Sequence, residues 1–196
     1  MVEQRINRIA NDEILDLGDY ERRRDELRAS AMRARRARRL ALGPNATLTF
    51  ENRETVRYQI QEMLRAERIA RPAEVAHEIE TYSDLLPSEH ELSATLMFEL
   101  PDELERTQKL AALRGFEEHL RLDIGGSAAP ARFDRRQIDE ERLSSVQFVR
   151  FALSPAQADA LRSGAPARIV SDHPSYPHST AIDAATARAI AADLEE

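Results

Sequence analysis

The chain of 196 residues contains no cysteine and no tryptophan. Without cysteine, the protein cannot use disulfide bonds, thiolate nucleophiles, iron–sulfur ligation or cysteine-based zinc sites. The sequence also lacks an apolar run near the roughly 20 residues that a membrane-spanning helix needs, and its first residues lack the apolar region of a signal peptide. We therefore expect a cytoplasmic protein with no membrane partner.

Lysine is nearly absent, with one lysine among the 28 Lys and Arg residues, so arginine is the general cation of this chain. Residues 22–39 hold nine arginines against two acids, a local balance of +7 in a chain of net charge −7. Guanidinium clusters bind phosphates. However, the acidic remainder and the lack of aromatic residues among these arginines argue against nucleic acid. We expect the basic segment to dock on an acidic surface of its own chain or of a second subunit, which predicts a homo-oligomer.

The length and composition predict a folded protein with one main domain. Hydrophobic residues make up 42% and charged residues 32% of the chain, which is typical of globular domains. We expect residues 1–44 to form an N-terminal helical arm and residues 45–196 a single α+β domain.

Hydrophobic periodicity, caps and breakers predict the order of helices and strands. The longest predicted element is a basic helix over residues 19–41, ended by Gly43 and Pro44. Residues 125–142 show no convincing periodicity and are predicted to form a long loop. The other predicted helices cover residues 53–69, 72–86, 101–114, 155–163 and 184–194. The predicted strands cover residues 46–51, 92–100, 120–124, 144–153, 167–172 and 176–182.

This order has no regular βαβ rhythm, which argues against a parallel sheet. The fold class that we predict is α+β, with a mostly antiparallel sheet, helices packed on one side of it, and the long basic helix in front.

The predicted helix after residue 52 carries a polar stripe beside its apolar face. Glu62 lies four residues after Tyr58 and three before Arg65, and these spacings bring side chains together on one helical face. We expect Glu62 to face an enclosed polar cavity and to act there as an acid, a base or a ligand. An ordinary ion pair between Glu62 and Arg65 explains the same spacing.

Two further residues complete the catalytic candidates. Glu99 ends a strongly apolar predicted strand on its polar face. Arg150 lies in the middle of another apolar strand, where an unpaired guanidinium would be too costly to bury. We therefore expect Arg150 to bind Glu51, Glu62, Glu99 or an anionic ligand.

Two groups of residues are candidates for metal binding. Glu51, Glu62 and Glu99 would together suit a hard cation that prefers oxygen ligands. Asp172, His173 and His178 could hold zinc or iron at a predicted turn. Against the second group, the spacing of the two histidines is not that of a known ligand motif, and nearby prolines favour a rigid turn in which Asp172 caps the backbone.

Five segments resemble one known family along nearly the whole chain. They read FENRETVRYQIQEMLRAE at residues 50–67, EIETYSDLLP at 78–87, ELSATLMFE at 91–99, SSVQFVRF at 144–151 and DHPSY at 172–176. The family is catalogued as domain of unknown function 3501 and is bacterial. The resemblance implies a redox or peroxide-stress setting, because genes of the family often lie beside those for rubrerythrin and an iron–sulfur oxidoreductase.

Two functional hypotheses follow from the residues and the resemblance together. The first is an accessory or interaction protein that works with a redox protein partner. The alternative is an enzyme or metal-binding protein with a carboxylate-rich pocket around Glu62. The sequence indicates no particular cofactor, substrate or reaction.

Overall fold

The computed structural model describes residues 8–134 and 143–195. Six α-helices lie within these residues: α1 Leu17–Arg36, α2 Arg53–Glu67, α3 Pro72–Ser83, α4 Glu103–Ala112, α5 Pro155–Arg162 and α6 Ala184–Ala192. Eight strands accompany them: β1 Arg39–Leu42, β2 Ala46–Phe50, β3 Glu91–Phe98, β4 Leu120–Ile124, β5 Ser127–Phe133, β6 Val146–Ala152, β7 Ala167–His173 and β8 Tyr176–Ala181. No helix of this described part is long and apolar enough to cross a membrane.

The contacts within the chain divide it into two compact units. Unit 1 contains the described residues up to 36 together with residues 51–88, and unit 2 contains residues 37–50 and the described residues from 89 onward. Unit 1 is helical, with α1, α2 and α3. Unit 2 holds the eight strands and the remaining helices.

Local sequence explains how the helices of unit 1 begin. Asn52 caps α2, because its side chain accepts a hydrogen bond from the Thr55 amide at 3.0 Å, as expected for an N-cap asparagine. Pro72 occupies the first turn of α3, where a missing backbone N–H costs nothing. Among the side chains that these helices bury are Tyr20 of α1, Ile60 of α2 and Ile79 of α3.

The sheet of unit 2 has the strand order β1-β2-β3-β6-β5-β4-β7-β8, and every neighbouring pair is antiparallel. This confirms the predicted α+β class and the antiparallel sheet. Strand β6 lies between β3 and β5, near the middle of this order.

The two outermost strands of the sheet, β1 and β8, approach each other, so the sheet is nearly a closed barrel. The Tyr176 hydroxyl donates to the Leu42 carbonyl at 2.7 Å, and the Thr180 hydroxyl donates to the Ala41 carbonyl at 2.7 Å. These side chains hold β8 to β1 without a backbone ladder. The apolar residues of the strands fill the interior, with Leu48, Leu122, Phe151 and Ile169 fully buried.

Strand β5 changes its partner halfway along its length. Residues 127–130 pair with β4, and residues 131–133 pair with β6. Pro130 lies at this change, where its nitrogen can donate to neither ladder. The turn before β5 uses Gly125 and Gly126 at φ 57° and 86°, backbone angles that glycine adopts without steric cost.

Two predicted elements are wrong. The helix predicted over residues 19–41 ends at Arg36, and residues 39–42 form β1 instead. Leu40 and Leu42 are buried there while Arg39 and Ala41 are exposed, so pairing with β2 overrides a high local helix propensity. The loop predicted over residues 125–142 contains β5, whose buried residues are the small Ala129 and Ala131. Its remaining part, residues 135–142, lies outside the described residues.

Candidate functional site

Glu62, the first candidate residue, is held by two residues of α1. The Tyr20 hydroxyl donates to Glu62 Oε1 at 2.6 Å. The Arg24 guanidinium donates through Nε to Oε1 and through Nη2 to Oε2, each at 2.8 Å. Both carboxylate oxygens are therefore occupied, one of them twice. Such bidentate, charge-assisted contacts are among the strongest hydrogen bonds in proteins.

The surroundings of Glu62 stabilise its charged form. The hydrogen bonds from Arg24 lower the pKa of Glu62, and the bond from Tyr20 acts in the same direction, while partial burial opposes them. Burial raises the pKa of Tyr20, and the hydrogen bond to Glu62 raises it further. A carboxylate that stays ionised and fully bonded is a poor acid or base near neutral pH. This geometry is therefore typical of a structural connection between α1 and α2.

The two predicted neighbours of Glu62 on α2 make other contacts. Arg65 donates through Nε to Glu21 of α1 at 2.7 Å and acts on Glu62 only through its charge. Tyr58 lines a cleft of about 190 Å³ between α1 and α2. Glu62 is not among the residues that line this cleft, although we expected it to face a polar cavity.

Three polar side chains of this cleft bind partners within it. The Gln61 side chain accepts from the Leu15 amide at 3.0 Å and donates to the Leu15 carbonyl at 2.9 Å. The Ser30 hydroxyl donates to Glu54 at 2.6 Å. These contacts attach residue 15 and α1 to α2, so they serve the fold of unit 1.

Arg150 pairs with Glu91 of the neighbouring strand β3. The expected partners were Glu51, Glu62, Glu99 or an anion, and Glu91 was not among them. The reason is the register: Arg150 lies opposite Ser93, and Glu91 is the diagonal neighbour two residues away on β3. The guanidinium side chain keeps 34% of its exposure, so this pair is less costly to break than a buried one.

Glu51 and Glu99 have local partners of their own. Glu51 is 2% exposed and accepts a hydrogen bond from the Thr55 hydroxyl at 2.6 Å. Glu99 binds Arg39 at 2.6 Å and the Thr47 hydroxyl at 3.0 Å on the surface of the sheet. Each carboxylate therefore belongs to a different local arrangement.

The residues predicted at the turn after β7 face different surroundings. Asp172 is exposed and binds His119 Nδ1 at 2.8 Å and also Arg121, and these contacts, His119 first, lower its pKa. His173, the next residue on β7, points to the opposite side. It is buried, with Nε2 at 3.1 Å from the Arg114 carbonyl and Nδ1 accepting from the Ser175 amide. His178 packs its ring on Tyr176.

No group of three or more His, Asp or Glu side chains in residues 8–134 and 143–195 could hold a metal ion. Neither predicted group forms such a cluster among the described residues: not Glu51 with Glu62 and Glu99, and not Asp172 with His173 and His178. The geometry of the described residues therefore gives the metal predictions no support.

Comparison with known proteins agrees with this α+β architecture. The family model described as "Protein of unknown function (DUF3501)" matches residues 8–194, and the chain belongs to this family. A crystal structure of a novel protein of unknown function from Burkholderia pseudomallei K96243 is similar, with 34% identity and a TM-score of 0.90. The match covers 95% of this chain and 98% of that one. A search of curated proteins gives no significant match.

Proposed function

We propose that this protein is an accessory protein that binds an acidic protein surface through the second half of α1. The observation that carries this proposal is a set of exposed arginines. Arg28, Arg33 and Arg36 are exposed, and no hydrogen bond or ion pair joins them to the other described residues. The first half of α1 differs, because Arg22 pairs with Asp19 and Arg24 with Glu62.

The charge of the second half of α1 is not balanced locally. Residues 27–36 contain four arginines and no acid. Cations near a helix C-terminus interact favourably with the helix dipole, and this accounts for part of the pattern. That interaction is worth only about 0.3–1 kcal/mol per group and fades beyond the last turn, so it does not explain Arg28. An acidic partner surface would use all three side chains.

The partner that we favour is a redox protein, because the family resemblance implies such a setting and this chain has no cysteine of its own. Rubrerythrin from the same organism is the first protein to test. A second copy of the chain is the other candidate, since the sequence outside residues 22–39 is acidic. Both hypotheses use the same arginines but predict different complexes.

A charge-reversal variant tests the proposal. Arg28, Arg33 and Arg36 are changed together to Glu, and binding is measured by sedimentation velocity with and without rubrerythrin. The control reverses the exposed Arg68, Arg114 and Arg188 and so changes the net charge equally. We expect the α1 variant alone to lose the complex. Deleting residues 1–41 would be a poorer test, because β1 begins at Arg39.

The proposal fails if both variants bind equally, or if the wild-type protein is monomeric and binds no rubrerythrin at low salt. Exposed charges are screened over roughly 8 Å at physiological ionic strength, so salt should weaken a true complex.

The alternative, an enzyme or metal-binding protein built around Glu62, makes a separate prediction. Protein purified without chelators would carry a stoichiometric metal that the Glu62→Gln variant loses. Elemental analysis of the two proteins decides the matter. The hydrogen bonds that already occupy both Glu62 oxygens favour a metal-free result for wild type and variant alike.

A further inference from the structure

Unit 2 contains a partly enclosed cavity of about 230 Å³. One of the residues that line it, His178, belongs to a predicted site. The apolar wall of the cavity comes from the end of β3, the residues after it and the last turn of α4. Its polar groups come from the β1–β2 turn, α4 and the start of β8. The lining includes Asn45, Phe98, Leu100, Lys109, Leu113 and His178.

The cation of this cavity is Lys109, the single lysine of the chain. Its ammonium group lies 2.7 Å from a Glu105 oxygen and 3.4 Å from the Asn45 side-chain oxygen. An ammonium group has three N–H donors, so these two contacts leave one donor for a ligand. Glu105 does not line the cavity, and it reduces the positive charge without filling the space.

His178 provides a second polar group with unused capacity. Its ring lies 4.4 Å from the Tyr176 ring, centroid to centroid, at 71°. Neither ring nitrogen has a hydrogen-bond partner among the described residues. The ring also presses against Gly43, where an added Cβ would come within 2.5 Å of it. Gly43 has φ +65°, so glycine permits both the turn and this close contact.

The apolar wall is formed by well-packed residues. Phe98, Leu100 and Leu113 are 3–4% exposed. The Phe98 ring makes edge-to-face contacts with Phe116 and Tyr176, at centroid distances of 5.4 and 5.7 Å. Such contacts fix the orientation of aromatic rings, so the wall is a preformed surface for a ligand.

We propose that this cavity binds a small monocarboxylic acid with a short apolar body. The carboxylate lies at Lys109 and His178, and the apolar body lies on Phe98, Leu100 and Leu113. Lys109 is the single cation of the cavity and is already paired with Glu105, so it suits one further negative charge better than a phosphate dianion. The volume is below the range of about 300–1,000 Å³ that holds drug-sized ligands, which limits the occupant to a few carbon atoms beyond the carboxylate.

The single lysine makes a direct test feasible. In protein labelled with ¹³C only in lysine, the ε-methylene signal of Lys109 is the one such signal in the spectrum. We expect hexanoate to shift this signal in a saturable manner. Each further methylene buried from acetate to butyrate to hexanoate should tighten binding by roughly fourfold. Hexanol and inorganic phosphate, at equal ionic strength, test the apolar body and the charge separately.

Two variants of neighbouring alanines on α4 provide a matched pair. Ala112 lines the cavity and Ala111 does not, and both are exposed, so neither change disturbs the core. Ala112→Phe should fill the cavity and abolish the hexanoate shift, while Ala111→Phe should leave it unchanged. The dispersion of the amide spectrum shows that both variants remain folded.

A second pair of variants tests the charge, with binding followed on the ligand signals. Lys109→Gln should weaken hexanoate binding by roughly tenfold or more, as expected for a lost hydrogen bond to a charged group, and Lys109→Arg should retain most of it. The proposal is overturned if hexanoate gives no saturable shift or if the two alanine variants behave alike. It is also overturned if acetate or phosphate binds as tightly as hexanoate, which would indicate an adventitious ion only.

Discussion

The two compact units of this protein are stabilised in different ways. In unit 1, paired charges and amide contacts connect helices that also bury apolar residues such as Ile60 and Ile79. Examples are the contacts of Glu62 with Arg24 and of Gln61 with residue 15. In unit 2, the strands surround a continuous apolar core that includes Phe98, Phe116 and Phe151. The hydrophobic effect is roughly proportional to buried apolar area, whereas the strength of an ion pair depends on pH and salt. The two units should therefore respond differently to solution conditions.

The substitution with the largest expected effect on stability lies in the core of unit 2. Phe116 is fully buried, and its ring contacts those of Phe98, Phe133 and Tyr176. Phe116→Ala should lower the free energy of unfolding by about 3–5 kcal/mol, because it leaves a cavity among these rings. Urea denaturation measures the change. A loss below about 1 kcal/mol would mean that the core relaxes to fill the space. The stability of unit 2 would then not depend on close packing around Phe116.

The next largest effect is expected at Gly43 in unit 2. Gly43→Ala places a Cβ against the His178 ring in a backbone conformation with φ +65°. We expect a loss of about 1–3 kcal/mol, the range for a strained backbone position, and a displaced His178 ring. Urea denaturation and the imidazole NMR signals report the two effects. Unchanged imidazole signals would show that the turn moves instead of the ring.

In unit 1, Arg24→Gln should have a smaller effect. Loss of a charged hydrogen-bond partner costs about 1.5–3 kcal/mol in buried sites. Because the Arg24 and Glu62 side chains keep 27% of their exposure, water compensates in part, and we expect a smaller loss of stability than at Gly43. Hydrogen exchange in peptides from α1 and α2 measures this loss. If Arg24→Gln speeds hydrogen exchange only in the strands of unit 2, the Arg24–Glu62 pair does not stabilise unit 1.

The smallest expected effect is the dependence of the stability of unit 1 on pH. The pKa of Glu62 is lowered from its ordinary value of 4.5 by Arg24 and Tyr20. For a lowered carboxyl pKa, the unfolded state binds protons first as pH falls. The stabilisation is therefore complete above pH 4.5 and is lost as pH falls through the lower value of the folded protein. The stability difference between wild type and Arg24→Gln should shrink as the pH falls below 4.5. A constant difference would show that Glu62 does not titrate as proposed.

Local patterns in the sequence predicted the elements that carry clear local signals. The strand predicted over residues 92–100 corresponds to β3, and the helices predicted to begin at residues 53, 155 and 184 are α2, α5 and α6, which Asn52, Ser154 and Asp183 cap. The strands β1 and β5 were missed for different reasons. Strand β1 is made of residues that also favour helices, and β5 buries alanines that contribute almost no periodic signal.

The candidate site shows where local patterns reach their limit. Glu62 was recognised from spacing within one helix, but its partners Tyr20 and Arg24 lie 42 and 38 residues earlier in the chain. Spacing on a single helix contains no information about such pairs. Lys109 and His178 face one cavity only because α4 and β8 meet there. No periodicity links these two residues, although a single lysine in an arginine-rich chain was a signal that could have been followed.

The β1–β2 hairpin also affects the rate at which unit 1 folds. Its ladder places Arg39 opposite Thr49, so the chain leaves α1 and enters α2 at the same end of the hairpin. A flexible segment between two helices must lose loop-closure entropy before the helices can meet, and that cost grows with its length. A hairpin forms within about 1–10 μs and shortens this loop in advance. We therefore expect substitutions at Gly43 to slow the refolding of α1 onto α2 as well as the refolding of the sheet. The folding rates of the helices and of the strands would then be linked.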